Sequence, residues 1–353
     1  MLFVILSFVG TSLIIKLSFS SNDEEEAASF NKPLFTSYTA CASFSLYSIR
    51  IIYEFIFRSK CRWKDMSRRE MTKVELKTAL LCFPIFFGSI TLYYFSLSLT
   101  TYSSTMILGN ISSVFVFIFA ILILGHAFCF IKCGATITCV VGVLIIALSD
   151  KEDFQAANPI LGDLLAVCSS LTLGLYSTLL AKLVPPKIEN EVSFSNILAF
   201  IGLLCLLTLW PLLIIFHFSG LEPFELPKGI TIAYLIINII FGTLLFDYCW
   251  GRAILLIGPL VSNTSVLLVV PLSIIIDNLF IKSSFSWQYY LGTIFIVVGF
   301  LISAYMNYLD SQNIQDEDSH DSLTSPLNRK HTGKFGQSDE IESGSDNSAH
   351  SSD

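Results

Sequence analysis

The chain has 353 residues, of which 53% are hydrophobic and only 14% are charged, and its mean hydropathy is +0.68. A soluble domain of this length needs a larger polar surface, so the composition excludes an ordinary soluble protein and indicates a surface that faces lipid. The formal net charge of −7 comes with no basic patch, which argues against nucleic acid as a partner.

Apolar segments recur along the chain at lengths suited to a membrane. About 20 apolar residues cross a hydrocarbon core of about 30 Å, and a helix satisfies its own backbone hydrogen bonds there. The first segment lacks a basic leader and a small-residue cleavage site, so we expect it to be retained as a helix. The ten predicted spans are 1–20, 34–56, 78–98, 103–124, 130–149, 160–182, 193–218, 230–254, 260–281 and 287–308.

Lysine and arginine are concentrated in the loop between the second and third spans. The loop before it contains the acidic run Asp23–Glu26 and only one basic residue, Lys32. Because loops rich in lysine and arginine stay in the cytosol, we predict that the basic loop and both termini are cytosolic. The basic residues of this loop are Arg58, Lys60, Arg62, Lys64, Arg68, Arg69, Lys73 and Lys77.

An internal repeat is visible at an offset of 157 residues. Residues 135–145 (ATITCVVGVLI) align with residues 292–302 (GTIFIVVGFLI), with seven of eleven positions identical, and the same offset places Tyr93 on Trp250. A repeat unit of five helices has an odd number of spans and ends on the face opposite to its start. The second copy therefore enters the membrane from the opposite face. The predicted fold is an all-α membrane protein with ten transmembrane helices as two inverted five-helix repeats. Secondary transporters often have this architecture and bind substrate between the repeats.

These observations divide the chain into three parts. The first repeat covers residues 1–149 and the second covers residues 160–308. Residues 309–353 form an acidic, serine-rich segment that carries the net negative charge and has almost no apolar content, so we expect a disordered cytosolic tail.

A family resemblance lies in residues 247–277, which read DYCWGRAILLIGPLVSNTSVLLVVPLSIIID. The order of an acid, an aromatic residue and Trp250, followed by Arg252-Ala253 and the two prolines, resembles the eighth and ninth helices of the drug/metabolite transporter superfamily (EamA type). Within it, the chain is most similar to solute carrier family 35, subfamily F. Further matching stretches are residues 31–38 (NKPLFTSY), residues 97–108 (LSLTTYSSTMIL) and Gly162-Asp163.

The resemblance covers roughly residues 5–308 and implies the fold and a transport function more safely than a substrate. The chain departs from the family pattern at three places. Residues 268–270 are Leu-Val-Val where the family usually has Ser-Leu-Thr, His126 follows Gly125 in place of a glutamate, and Ser89 stands where an asparagine is common.

Ionisable side chains inside a span are costly, so each one is a candidate functional residue. Asp247 and Arg252 lie toward the predicted cytosolic end of span eight, and a spacing of five residues puts them about 140° apart on a straight helix. Asp247 is expected either to face a cavity or to bond a neighbouring helix, and Arg252 to extend toward the interface. Asp163 opens span six and is interpreted as a helix-start carboxylate.

Neutral polar and aromatic residues complete the candidate site. Such a set suits an uncharged or zwitterionic solute that carries a ring, although serine and threonine also serve helix packing. Ser104 and Thr264 belong to the same polar group. The candidate substrate-binding residues are Asp247, Tyr93, Tyr94, Ser103, Asn110, Asn263, Trp250 and Arg252.

The sequence predicts no enzyme, because it contains no phosphate loop, zinc-binding HExxH or GxSxG elbow. No cofactor and no metal are expected: Cys129 and Cys133 lie four residues apart, but two ligands do not make a metal site. The interpretation is a secondary transporter that moves a small organic solute (metabolite, vitamin or nucleotide-sugar-like) by alternating access. Expected partners are this solute, membrane lipid and a second copy in a homodimer, in a vacuolar, lysosomal or Golgi membrane. The alternative is a non-transporting receptor or scaffold derived from a transporter.

Overall fold

The computed structural model describes residues 32–49, 53, 66–100, 102–125, 128–148, 158–184, 192–220, 222–223, 230–269, 272 and 287–324. Every regular element in these ranges is helical. The α-helices are α1 (Pro33–Ser43), α2 (Met66–Leu99), α3 (Tyr102–Asn110), α4 (Ser112–Leu124), α5 (Phe130–Ala147), α6 (Pro159–Leu183), α7 (Phe194–Thr208), α8 (Trp210–Ser219), α9 (Ile230–Ile237), α10 (Phe246–Ile257), α11 (Pro259–Val266) and α12 (Trp287–Thr324). A 3-10 helix (Phe44–Tyr47) follows α1, and a π-helix (Asn238–Leu245) joins α9 to α10.

Several of these helices are long and apolar enough to cross a membrane, which confirms a multi-pass membrane protein. α7 and α8 pass the same test as one span with a bend of 42°, and the apolar part of α5, Phe130–Ile146, is shorter. The predicted span 1–20 and half of span 260–281 lie outside the described residues. The five clear spans are Met71–Leu99, Ile107–Leu124, Pro159–Leu183, Leu235–Ile257 and Trp287–Leu309.

Helix α6 lies at the centre of the fold, packed against α2, α3, α4, α10 and α11. Its Tyr176 is almost completely buried, and the ring contacts Phe86 of α2 at a centroid distance of 4.8 Å and Trp250 of α10 at 6.0 Å. Large buried rings supply much of the packing area in such a core. α6 therefore joins helices from the two predicted repeats.

Helices occupy equivalent positions at the offset of 157 residues. The described part of α3 starts at Tyr102 and α11 begins at Pro259, and α5 begins at Phe130 and the described part of α12 starts at Trp287. Pro259 fits the first turn of a helix, where its missing N–H leaves no hydrogen bond unmade. The preceding Gly258 has a φ of 86°, which only glycine adopts at little cost.

Helices α5 and α12 pack closely through small residues. A Cβ on Gly142 would lie 2.7 Å from the backbone oxygen of Gly292, and a Cβ on Gly299 would lie 2.7 Å from the backbone oxygen of Ala135. Between these contacts the thiol of Cys139 donates to the backbone oxygen of Ile296, with a sulfur–oxygen distance of 3.6 Å. Substitution at these glycines would force the two helices apart.

Two buried glutamates hold helix N-termini that are distant in sequence. Glu222, after α8, accepts hydrogen bonds from the backbone N–H groups of Leu34 and Phe35 at 2.9 Å. Glu75 of α2 accepts from the N–H of Ser193 at 2.8 Å and from Nδ2 of Asn196 at 3.0 Å, at the start of α7. A carboxylate there satisfies orphan donors and interacts favourably with the helix dipole.

The chain divides into two units, residues 1–306 and residues 307–353. The second unit is described only as far as Thr324, where α12 ends, so the helix extends beyond residue 308, the predicted end of the tenth span. No proline or glycine occurs between residue 307 and Pro326, so nothing local stops the helix from propagating. Residues 325–353, most of the predicted tail, lie outside the described residues.

Candidate functional site

A cavity of about 320 Å³ lies between the helices of the first and second predicted repeats. Its volume falls in the range of roughly 300–1,000 Å³ that is usual for small-molecule sites. Helices α1 to α4 contribute one part of the lining, and α6, the π-helix, α10 and α11 contribute the other. The site therefore depends on both halves of the chain.

Six of the eight residues predicted from the sequence line this cavity. The side chain of Ser103 lies outside the described residues. Arg252 is half-buried on α10 but does not contribute to the lining, so the structure separates it from the other candidates. The six lining residues are Asp247, Tyr93, Tyr94, Asn110, Asn263 and Trp250.

Asp247 is placed by an irregularity in its helix. The π-helix Asn238–Leu245 ends two residues before it, and π-helical turns often occur at functional sites because they displace the following side chains. Gly242 and Thr243 of this segment line the cavity together with Asp247. The carboxylate is half-buried and forms no hydrogen bond or ion pair with another described residue.

The aromatic wall of the cavity consists of Phe86, Tyr93, Tyr94, Phe246 and Trp250. Tyr93 and Tyr94 meet edge to face at a centroid distance of 5.9 Å.

The ring of Trp250 stacks on the ring of Tyr176 at a centroid distance of 6.0 Å, which holds Trp250 in position. The next residue, Gly251, lies so close to Phe194 of α7 that a Cβ there would overlap its ring. The wall is therefore held in place by packing before any solute binds.

A group of serines at the cavity was not identified from the sequence. Ser89 Oγ donates to the backbone oxygen of Ser169 at 3.1 Å, and Ser169 Oγ donates to that of Ser89 at 2.9 Å, which joins α2 to α6. Ser170 Oγ donates to the backbone oxygen of Leu108 at 2.6 Å and joins α6 to α3. The Ser169-Ser170 pair inside an apolar span was the available signal. These hydroxyls bind backbone, so they hold helices together.

Asp163 and Thr264 stabilise the packing of helices in this arrangement. Asp163 accepts hydrogen bonds from Thr100 Oγ1 at 2.9 Å and Ser104 Oγ at 2.6 Å, which ties the start of α6 to the connection between α2 and α3. Thr264 is fully buried and donates to backbone oxygens of its own helix. Asn263 lines the cavity, but its Nδ2 donates to the backbone oxygen of Pro259 at 2.7 Å.

Among the residues that the structure describes, no group of three or more histidine, cysteine, aspartate or glutamate side chains is arranged to hold a metal ion. The polar side-chain groups of the described lining are hydroxyls, amides, the indole N–H of Trp250 and one carboxylate. They can orient a solute by hydrogen bonding and charge.

Sequence comparison finds membrane transporters among the relatives. The thiamine-repressible mitochondrial transport protein of Saccharomyces cerevisiae is 25% identical over 334 residues, covering 85% of this chain and 88% of that protein. An uncharacterized vacuolar membrane protein of the same yeast is 27% identical over 351 residues, covering 85% and 87%. Solute carrier family 35 member F5 of Bos taurus is 28% identical over 257 residues, covering 72% of this chain but only 48% of that longer protein.

These relatives confirm the resemblance to drug/metabolite transporters of the solute carrier family 35, subfamily F type. No protein-family model matches the chain. A protein of known crystal structure superimposes with a TM-score of 0.59 over 86% of this chain and 96% of that one, at 13% identity. This last likeness concerns the fold alone.

Proposed function

We propose that this multi-pass membrane protein, a relative of solute carrier family 35 member F5, is a secondary transporter that carries a small organic solute by alternating access. The observation that carries the proposal is the cavity of about 320 Å³ lined by helices from both halves of the chain. The relatives that are named as transporters favour this function over a receptor or scaffold.

The architecture that we propose is a pair of inverted repeats. In the α5–α12 contact, Gly142 meets Gly292, Cys139 meets Ile296 and Ala135 meets Gly299. Subtracting the offset of 157 from the α12 residues 292, 296 and 299 gives positions 135, 139 and 142. These are the α5 residues of the same contact in reverse order, so exchanging the two halves of the chain leaves the contact unchanged. A contact of this kind is expected for two equivalent, antiparallel helices that cross at a two-fold axis. An axis in the membrane plane relates inverted repeats, and it supports ten spans.

The two buried glutamates suggest how the cavity is closed. Glu222 follows α8 in the second repeat and holds the start of α1 in the first. Glu75 lies in the first repeat and holds the start of α7 in the second. If the repeats are inverted, α1 and α7 begin at opposite membrane faces, so we propose that each contact closes one end of the cavity. Alternate breaking of these contacts would expose the site to one face at a time.

For the location, we propose an endomembrane with cytosolic termini. The vacuolar relative supports an internal membrane, and the basic loop between spans two and three supports the orientation.

The test is uptake into vesicles that contain the purified full-length protein. Vesicles are incubated with a mixed metabolite extract, and their contents are identified by mass spectrometry. Gly109→Leu is the blocked variant, because Gly109 lines the cavity and a Cβ there would lie 3.9 Å from the ring of Tyr93. Gly134→Leu is the matched control, since a Cβ on exposed Gly134 meets nothing within 4 Å.

We expect at least one solute to accumulate with the natural protein and with Gly134→Leu, and not with Gly109→Leu. Equal accumulation with the blocked variant, or none with the natural protein, would contradict the proposed transport.

A further inference from the structure

We propose that the solute of this cavity is an organic cation that carries an aromatic or heteroaromatic ring, held between the carboxylate of Asp247 and the aromatic wall. The inference rests on the proposed transport function and names its substrate class. It replaces the uncharged or zwitterionic solute favoured by the sequence, because the structure separates Arg252 from the cavity and keeps Asp247 in it.

The first argument is the charge of the lining. Asp247 is the one side chain with a formal charge among the described residues that line the cavity, so this part of the site carries a charge of up to −1. The carboxylate of Asp163 is bound by Thr100 and Ser104 elsewhere. Anionic solutes such as phosphates and nucleotide sugars need arginine or lysine, and the described lining contains neither.

The second argument is that the carboxylate of Asp247 has no hydrogen-bond donor or opposite charge among the described residues. A charged group removed from water needs compensating donors or an opposite charge. In the described part of the chain, Asp247 receives neither, although other carboxylates of this protein receive two hydrogen bonds each. A bound cation would supply the missing opposite charge. The site is therefore better completed by a cation than by a neutral or anionic solute.

The third argument is the chemistry of the surrounding surface. Tyrosine and tryptophan faces attract cations, and they also stack on flat rings. Tyr93, Tyr94 and Trp250 provide such faces around the same cavity as Asp247. A ring system with a positive charge uses both features at once, whereas a compact ammonium ion would leave part of the aromatic wall without a partner.

The test separates charge from shape with an isosteric pair of probes. 1-Methylnicotinamide is a planar ring cation, and 3-methylbenzamide has the same outline with carbon in place of the charged ring nitrogen. Choline is a cation without a ring. Binding of each radiolabelled probe to the full-length protein in detergent is measured by equilibrium dialysis. This comparison needs no substitution, so it holds even if a variant does not fold.

We expect 1-methylnicotinamide to bind about tenfold or more tightly than 3-methylbenzamide, because only its ring charge is attracted by the carboxylate and by the aromatic faces. We also expect it to bind more tightly than choline. Asp247→Asn should bring the cation down to the affinity of its neutral isostere. Asp163→Asn, the same substitution outside the cavity, should leave both affinities unchanged per folded molecule.

Equal affinity for the cation and its isostere, or an unchanged preference in folded Asp247→Asn, would overturn the proposal. Measuring uptake by vesicles as well distinguishes a failure of this proposal from a failure of the proposed transport function. Cation binding with no uptake of any solute would contradict transport and leave the substrate class standing. Cavity-dependent uptake of neutral or anionic solutes alone would support transport and contradict the proposed substrate class.

Discussion

The sulfur of Cys139 lies 3.6 Å from the backbone oxygen of Ile296, and these residues are 157 positions apart, which is the offset of the internal repeat. Each residue thus contacts its predicted equivalent in the other half of the chain. Contact of this kind is expected where a two-fold axis relates equivalent helices, and it lies between two glycine contacts that exchange under the same operation. The α5–α12 contact is therefore a natural place to test the symmetry.

Gly142→Leu and Gly299→Leu should reduce the yield of folded protein to a similar degree. At each position the new Cβ would lie 2.7 Å from a backbone oxygen of the facing helix, and overpacking of this kind costs about 1–3 kcal/mol. Thermal unfolding in detergent measures the loss, with Gly134→Leu as the control on the open face of α5. If one of the two glycine variants kept its full stability while the other lost stability, the two glycine contacts would not be equivalent.

Glu75→Gln and Glu222→Gln should bias the cavity toward opposite membrane faces. Each substitution removes the charge from a hydrogen-bonded helix start, and hydrogen bonds to charged groups contribute about 1.5–3 kcal/mol. Asn110→Cys in a cysteine-free protein would report access to the cavity, through labelling with a membrane-impermeant thiol reagent from either face.

The expected result is faster labelling from one face in the Glu75 variant and from the other face in the Glu222 variant. The protein with both glutamates intact serves as the control. Faster labelling from the same face in both variants would remove the glutamates from the proposed gating.

Asp247→Asn should lower the flux per folded molecule more than it lowers the amount of folded protein. Its carboxylate faces the cavity and forms no hydrogen bond or ion pair with the described residues, so the fold loses little when the charge is removed. Asp163→Asn should show the opposite pattern, because Thr100 and Ser104 donate to that carboxylate. The measurement is vesicle uptake of the transported solute divided by the folded protein from size-exclusion chromatography. A normal ratio for Asp247→Asn would show that the carboxylate takes no part in transport.

Truncation after Asp310 should leave transport intact. Residues 311–353 contain few apolar side chains and cannot pack into the core. Uptake and membrane location are compared between the truncated and full-length proteins. A truncated protein that reaches its membrane but carries no solute would mean that the tail takes part in transport.

Much of the fold was predictable because a segment that crosses the membrane is recognisable from its own apolar residues. Apolar stretches predicted spans at 78–98, 160–182 and 287–308, and the structure has apolar helices at each of them. The internal repeat stays a prediction from the sequence, based on similar packing residues in the two halves at one offset. Asp247 could be chosen as a candidate without a structure, since an ionisable side chain in an apolar span is costly.

The direction of side chains was decided only by tertiary packing. Arg252 and Asp247 are five residues apart on one helix, yet only Asp247 lines the cavity, because the π-helix and the contact of Gly251 with Phe194 set the rotation of α10. Hydropathy does not record such a rotation.

Contacts between distant segments were equally invisible in the sequence. Glu222 reaches the start of α1 across 188 residues, and Ser89 pairs with Ser169 across 80. Composition and spacing along the chain determine which residues enter the membrane and which of them are costly there. Which of these groups meet is decided by the packing of helices, since a hydrogen bond depends on distance in space and not on distance in sequence.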